Sequence, residues 1–489
     1  APPLPGYPFG PYAVKYEPQP ETILVNNATI WTSTDRGRID QGWLLIRNGR
    51  IMRVEPGSPP DFLLNGTNPE IVVLDATDKH ITPGIVDAHS HTGLFGFGVN
   101  EAGQAVTAEV RIADSLDPGN INFYRQLAMG VTTINSLHGS ANPIGGQTTV
   151  HKVRWGVRTP REMRADGARP GIKFALGENV KQSNWERSDR TRYPQTRMGV
   201  ETLIRDRFQA ARDYADAIAE TGPDSVRRDL ELETLAQILS GDRLLHCHSY
   251  RQDEILMLCR IADEFGFQIG SFQHGLEVYK VPEAVRSHAI GASLFSDWWM
   301  YKIEVMDAVP FAGPLQTEAG VRTSYNSDSD EMARRLNTEA AKALKYARPG
   351  SGMTEENALR FVTINPAVQI GAGHLVGSLE EGKDADFVIW SDNPLSTRAI
   401  AEHVFIDGRE YYSLEQDRLH RQRIARERQR LIQKIISAPN RHESDDDDQD
   451  ADETDEPEEH DATKDWLDTD NAQGRCGCDE IYHTEGNQE

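Results

Sequence analysis

From residue 22 to about 80 the chain alternates apolar and polar positions at the two-residue period of half-buried strands, in "TILVNNATIW", "GWLLIRNGRIMRVE" and "EIVVLDATDKHITPG". Asn48-Gly49 divides two such runs, the strongest short signal for a type I′ hairpin. The same grammar returns in "KDADFVIWSDNP" and "HVFIDGREYYS", with Asp407-Gly408 as its turn. Two strand-rich segments so far apart predict one small β-sandwich domain built from both chain ends, residues 21–80 with 376–412. Residues 1–20, rich in Pro and aromatics, read as an extended N-terminal arm.

Between them, over 81–375, the period changes. Short apolar runs at 84–91, 130–136, 147–153, 171–177, 243–248, 267–273, 289–296 and 321–327 alternate with stretches at helical spacing. In "GVETLIRDRFQAARDYADAIAET" the residues Val200, Leu203, Ile204, Phe208, Ala211, Ala215 and Ile218 share one face. "EILMLCRIADEFG" and "DEMARRLNTEAAKALKYA" repeat the pattern. Eight strands alternating with helices predict an α/β fold, a (β/α)8 TIM barrel. A doubly wound sheet is the competing arrangement, but no Gly-rich phosphate loop follows the first strand.

Beyond the strands, 413–437 is strongly helical and Arg-rich, with Leu419, Ile424, Leu431, Ile432 and Ile435 available for packing. Residues 438–489 form an acidic tail whose composition predicts disorder. From Glu443 onward 20 Asp and Glu stand against Lys464 and Arg475, a net −18 that leaves −6 of the total −24 for the preceding 442 residues. The body has no basic stripe with interleaved aromatics, which argues against a nucleic-acid partner. The tail has three readings besides solubilisation: divalent ions, a basic partner, or contact between copies in a homo-oligomer.

No apolar run approaches the ~20 residues of a membrane span. The numbering opens on Ala1 in "APPLPGYPFGPYAVKYEP", which reads as a trimmed terminus and favours export, periplasmic or extracellular, over the cytoplasm. The sequons at Asn27 and Asn65 matter only in a glycosylating secretory pathway. Four cysteines in so long a chain make no disulfide scaffold. Cys247 and Cys259 lie in segments that read as buried, and Cys476 and Cys478 form "CGC" in the tail.

Chemistry concentrates where the strands end. "IVDAHSHTGLFG" sets His89 and His91 two residues apart on the first barrel strand, so both imidazoles leave the same face. The fourth strand, "GIKFALGENVK", carries Lys173 within it and Glu178 at its tip. "RLLHCHS" ends the fifth with His246 and His248, "FQIGSFQHG" the sixth with His274, and "VRTSYNSDSD" the eighth with Asp328. Strand tips of such a barrel converge on one mouth, so these groups predict a metal site.

The sequence resembles the amidohydrolase superfamily in "ITPGIVDAHSH", "NSDSDE", "VTINPAVQIG" and "GSLEEGKDADFVIW", over residues 22–410, and within it the imidazolonepropionase-like and prolidase-like branch. The resemblance implies a hydrolase of a carbon–nitrogen bond in a cyclic amide, amide or dipeptide-like small molecule. A deaminase of the same superfamily is the alternative enzyme, and a non-catalytic structural or assembly subunit the alternative outside catalysis. It implies one or two divalent ions, Zn before Fe or Mn, that activate water. His89, His91, His246 and His274 match ligands. Asp328 matches the carboxylate that binds metal and moves the proton from water to the leaving nitrogen. Two-metal members bridge the ions through a fourth-strand group. Glu178 is preferred for that role by its place at the tip, with a carboxylated Lys173 as the alternative; with neither, one ion rests on His89, His91, His246 and Asp328.

His248 is expected to face substrate or orient a ligand. Arg197 and Tyr193, in the long polar loop after the fourth strand, are candidates for gripping substrate. Gly145-Gly146 is expected in a loop over the mouth, and Trp298 or Trp299 as an apolar wall.

Overall fold

A computed structural model describes residues 6–64, 71–94, 98–185 and 192–437 of the chain. The acidic tail, its "CGC" and Asn65 lie outside the described residues. Five strands come first: β1 (Thr22–Trp31), β2 (Arg38–Arg47), β3 (Arg50–Pro56), β4 (Ile71–Asp75) and β5 (His80–Pro83). Eight more follow: β6 (Ile85–Ser90), β7 (Val131–Ser136), β8 (Ile144–Lys152), β9 (Gly171–Ala175), β10 (Leu244–His248), β11 (Ile269–Gln273), β12 (Ala289–Leu294) and β13 (Thr323–Tyr325). The last three are β14 (Phe387–Trp390), β15 (Ala401–Ile406) and β16 (Arg409–Ser413).

Both ends of the chain meet in one sheet. Its order is β16-β15-β14-β5-β1-β2-β3, with β4 also against β1. Hydrogen bonding thus joins all eight strands in a single sheet where two facing sheets were expected. The reason lies in β1, which pairs with β4 from Thr22 to Asn26 and with β5 at Thr29 and Ile30. Asn27, at φ +60°, marks the hand-over. Asn48 and Gly49, and Asp407 and Gly408, all have positive φ, as type I′ turns require. One core encloses Ile23, Val25, Leu44, Ile51, Phe387 and Phe405 from both ends.

The barrel strands form a second sheet, ordered β13 through β6 without a break. They fall where the apolar runs predict them, but not all are parallel. β8 runs antiparallel to β7 (Thr133 opposite Lys152) and to β9 (Ile144 opposite Phe174). Only residues 137–143 join β7 to β8, without a helix. That is too short for the crossover a parallel return needs, so the chain must reverse. The other barrel pairings are parallel. The helix Arg197–Thr221 covers the sheet with Val200, Ile204, Phe208 and Ala211 buried, the stripe its spacing predicts. Cys247 and Cys259 are buried free thiols. Among the described residues no helix is long and apolar enough to cross a membrane.

Among the described residues, β6 and β13 share no strand ladder, and side chains close the barrel between them. Asp328 N–H donates to His89 O (3.0 Å). Ser327 N–H donates to Asp87 Oδ1 (3.1 Å), and its hydroxyl to Asp87 Oδ2.

A buried ion cluster ties the reversed strand to the other sheet. Lys152 Nζ, at the end of β8, lies 2.7 Å from Asp384, 3.1 Å from Asp386, and against Asp407. Removing one partner of a buried cluster leaves uncompensated charge, at a cost of about 3–5 kcal/mol. Lys152→Met is therefore expected to lower the urea midpoint of unfolding strongly at pH 8. The loss shrinks at pH 5, because burial pushes the Asp386 carboxyl up to about 6 despite Lys152 beside it, and it then takes up a proton.

Candidate metal centre

His89, His274 and Asp328 place ligand atoms within 4.8 Å of one another, all buried. The Asp328 carboxylate is the hub. Its Oδ1 lies 3.1 Å from His91 Nε2 and 3.5 Å from His89 Nε2, and its Oδ2 3.3 Å from His274 Nε2. His89 Nε2 and His91 Nε2 are 3.3 Å apart. His274 and Asp328 follow β11 and β13 with φ of +56° and +48°. Non-glycine residues seldom adopt that conformation, and it persists where the surroundings over-determine it.

The other face of each ring decides which nitrogen points inward. His91 Nδ1 donates to Leu137 O at 3.0 Å, so its Nε2 lone pair faces Asp328. His89 Nδ1 stands 3.3 Å from Gln273 Oε1, and Gln273 Nε2 donates to Ser271 Oγ at 2.7 Å. With the amide so oriented, His89 Nδ1 is the donor and its Nε2 lone pair also faces inward. Two lone pairs and the carboxylate thus converge on one point, with Lys173 Nζ at 3.3 Å from His89 Nε2 as the cation at hand in the structure. The donor set of imidazoles and a carboxylate fits a divalent first-row ion.

Asp87 was not singled out by the sequence reading, although it sits two residues before His89 on the same face of β6. Burial pushes its carboxyl up to about 7 against the hydrogen bonds from Ser327, and Asp328 beside it adds to the rise. Gln273 was also missed, its only signal being its place beside His274.

The fifth-strand pair separates by depth. His246 and His248 point the same way, but one pleat repeat of about 6.6 Å lies between them. His248 is the upper one, its ring 5.1 Å from that of His274 and 4.6 Å from Tyr250. His246 lies a layer below, where its Nδ1 is 2.8 Å from Ser271 Oγ and its ring fills the space beside Gly171 and Gly270. Burial, with Lys173 adding to it, holds His246 down to about 3, so it is neutral. The structure therefore does not bring His246, the expected fifth-strand ligand, into the cluster.

On the fourth strand Glu178 and Lys173 have different partners. Gly177, at φ +88°, turns the chain after β9, and the Glu178 carboxylate pairs with Lys302 at 2.9 Å. Lys173 sits in register with His246, yet its long stem carries Nζ up to 3.3 Å from His89 Nε2, fully buried.

Neither substrate candidate in the long loop joins the cluster. Arg197 pairs with Asp253 and with Glu254 (2.9 Å), and the exposed Tyr193 donates to Gly199 O. Gly145 and Gly146 belong to β8, where a Cβ would collide with His138 and Val110, so they are packing glycines and not a mouth loop. Trp298 stacks on Phe295 (3.6 Å), which stacks on His274 (4.9 Å), whereas Trp299 is exposed.

An amidohydrolase of known structure from Thermotoga maritima MSB8 is 33% identical and aligns over 80% of this chain and 100% of that one, with a TM-score of 0.71. This chain belongs to the amidohydrolase superfamily. The family model described as "Amidohydrolase family" matches residues 312–411. The amidohydrolase tasK of Hapsidospora irregularis is 31% identical over 429 residues, 79% of this chain and 42% of that protein, so the chain spans about two fifths of that relative's length. An imidazolonepropionase of Geobacillus kaustophilus (strain HTA426) is 24% identical over 387 residues, 73% of this chain and 85% of that protein, which puts the chain on the imidazolonepropionase-like branch. The family is one of hydrolases acting on carbon–nitrogen bonds.

Where Glu178 N–H donates to the Glu304 carboxylate (2.8 Å), burial pushes Glu304 up to about 7, Glu178 adds to the rise and Lys302 opposes it. A carboxyl whose folded pKa is raised contributes least once it must ionise, so its share of stability is lost as pH rises from about 4.5 to 7. Glu304→Gln should therefore gain roughly 1–3 kcal/mol relative to the parent between pH 5 and pH 8, read from urea unfolding at both values.

Proposed function

We propose that the chain is a metal-dependent amidohydrolase that cleaves the carbon–nitrogen bond of a small cyclic amide, amide or dipeptide-like molecule. The observation that carries this reading is the buried Asp328 carboxylate flanked by the Nε2 atoms of His89, His91 and His274 at the barrel mouth. The imidazolonepropionase relatives favour a cyclic amide within that class.

His89, His91, His274 and Asp328 would hold the ion, with His248 as the fifth-strand group in place of His246. A divalent cation there supplies Lewis-acid polarisation of a carbonyl and a lowered pKa for water. The remaining chemistry falls to the chain. Asp328, fixed by its own N–H on His89 O, takes the proton of the attacking water and returns it to the departing nitrogen. Leu137 O and Gln273 hold the tautomers of His91 and His89 through that exchange. The His274–Phe295–Trp298 stack forms an apolar wall that excludes water from one side. Lys173, whose neutral amine adds carbon dioxide and releases a proton to give a carbamate, would be the fourth-strand group that helps hold a second ion, and Zn is the ion we expect.

Metal analysis of purified variants tests the ligand assignment. His89→Ala, His248→Ala and Asp328→Asn should lower bound metal about tenfold, while His246→Gln and Glu178→Gln keep it. Lys173→Ala should retain about half of a two-ion content. Metal retained in His89→Ala and Asp328→Asn overturns the site.

For activity, a panel of hydantoins, imidazolones and dipeptides is compared with aminopurines. Ring opening or peptide cleavage at rates lowered by about 10³-fold or more in Asp328→Asn is expected. Ammonia release from the aminopurines alone would replace this reading with a deaminase.

A further inference from the structure

At the end of the barrel away from His89, His274 and Asp328 lies a cavity of about 810 Å3. It opens beside Gly171, the first residue of β9, and Arg243, just before β10. Reversal of β8 contributes to it. Because that strand runs backwards, Thr148 pairs with Gly171 and its later residues run on past the start of β9 while still paired with β7. His248 and His274 lie at the other ends of β10 and β11.

The walls carry Arg111, Arg161, Arg164, Arg169 and Arg243 against a single acidic residue, Asp114. This runs against the composition of a body that, without its acidic tail, carries a net −6. Two of the five are matched locally, Arg111 by Asp114 (3.0 Å) and Arg164 by Asp166 (2.7 Å), both in exposed pairs of the kind that bind weakly. The other three are not. Arg161 and Arg169 make no side-chain hydrogen bond or ion pair among the described residues. Arg243 is buried, and its three hydrogen bonds go to neutral oxygens, Gly171 O at 2.8 Å and Gln237 Oε1 at 3.0 and 2.7 Å. Burial alone pulls its pKa down to about 10, the sign of a guanidinium held without a counter-charge. Such a group costs free energy in the folded chain unless an anion shares its surroundings.

We propose that this arginine cleft is a binding site for a small, multiply charged anion of the phosphate-ester class. Guanidinium forks match phosphate oxygens in pairs, and a phosphate offers oxygens in several directions where a carboxylate offers two in one plane. Arginines from separate segments around the cleft, with the Thr148 and Thr149 side chains beside them, suit the former. The volume leaves room for the organic part of an ester.

The test titrates the full chain with inorganic pyrophosphate by calorimetry, with citrate as a polycarboxylate of comparable charge. One saturable site per chain is expected, with pyrophosphate tighter than citrate. Arg161 is exposed and Arg169 half-buried, so the double variant Arg161→Ala/Arg169→Ala should stay folded, checked by circular dichroism. It should bind about tenfold more weakly or worse, with Arg125→Ala, an exposed arginine of the helix Ile121–Leu127 outside the cleft, unchanged. His89→Ala, altered at the other end of the barrel, should bind as the parent does, which separates this site from pyrophosphate captured at the metal centre. Absence of saturable binding overturns the proposal. So does binding that survives in the double arginine variant, is lost in His89→Ala, or favours citrate.

Discussion

The site depends on how the barrel is closed between its first and last strands. No strand ladder joins β6 to β13 among the described residues, and the gap is spanned by Asp87, Ser327 and one backbone bond from Asp328 to His89. That bond serves two purposes: it completes the cylinder, and it delivers the Asp328 carboxylate to the imidazoles of the first strand. The positive φ of Asp328 is the local cost of the arrangement, held in place by the buried contacts of Asp87 on one side and three imidazoles on the other.

Around this seam, hydrogen bonds orient the ligand atoms before anything binds. The chain Ser293–Asn326–Gln273–Ser271 runs through the barrel interior, and His89 and His246 both rest on it. One of these imidazoles faces the mouth and the other is a neutral packing element a layer below. The same network thus explains why two histidines of similar sequence context have different duties. A preorganised first layer backed by a hydrogen-bonded second layer is what a metal site requires to keep its geometry.

The two halves of the molecule are coupled through charge. Lys152, which ends the reversed strand, and Arg154, just after it, meet Asp384, Asp386 and Asp407 of the other sheet and its flanking residues. Reversal of β8 therefore has three effects: it shortens the path from β7, brings the buried lysine to its carboxylates, and opens the arginine-lined cavity at the far end of the barrel.

Much of this was legible in the chain as written. Apolar periodicity located all eight barrel strands, the Asn-Gly and Asp-Gly pairs located two hairpin turns of the other sheet, and the spacing of His89, His91, His274 and Asp328 at strand ends pointed to one mouth. These are local properties, set by which side chains a strand exposes on each face. The direction of β8, the depths of His246 and His248, and the different surroundings of Lys173 and Glu178 were visible only in the tertiary structure. A two-residue step on a strand keeps the face but changes the depth by about 6.6 Å, and a lysine stem can recover that depth while a glutamate past a glycine turn is carried away from it. Depth within a barrel is a relation among strands, and no single strand contains it.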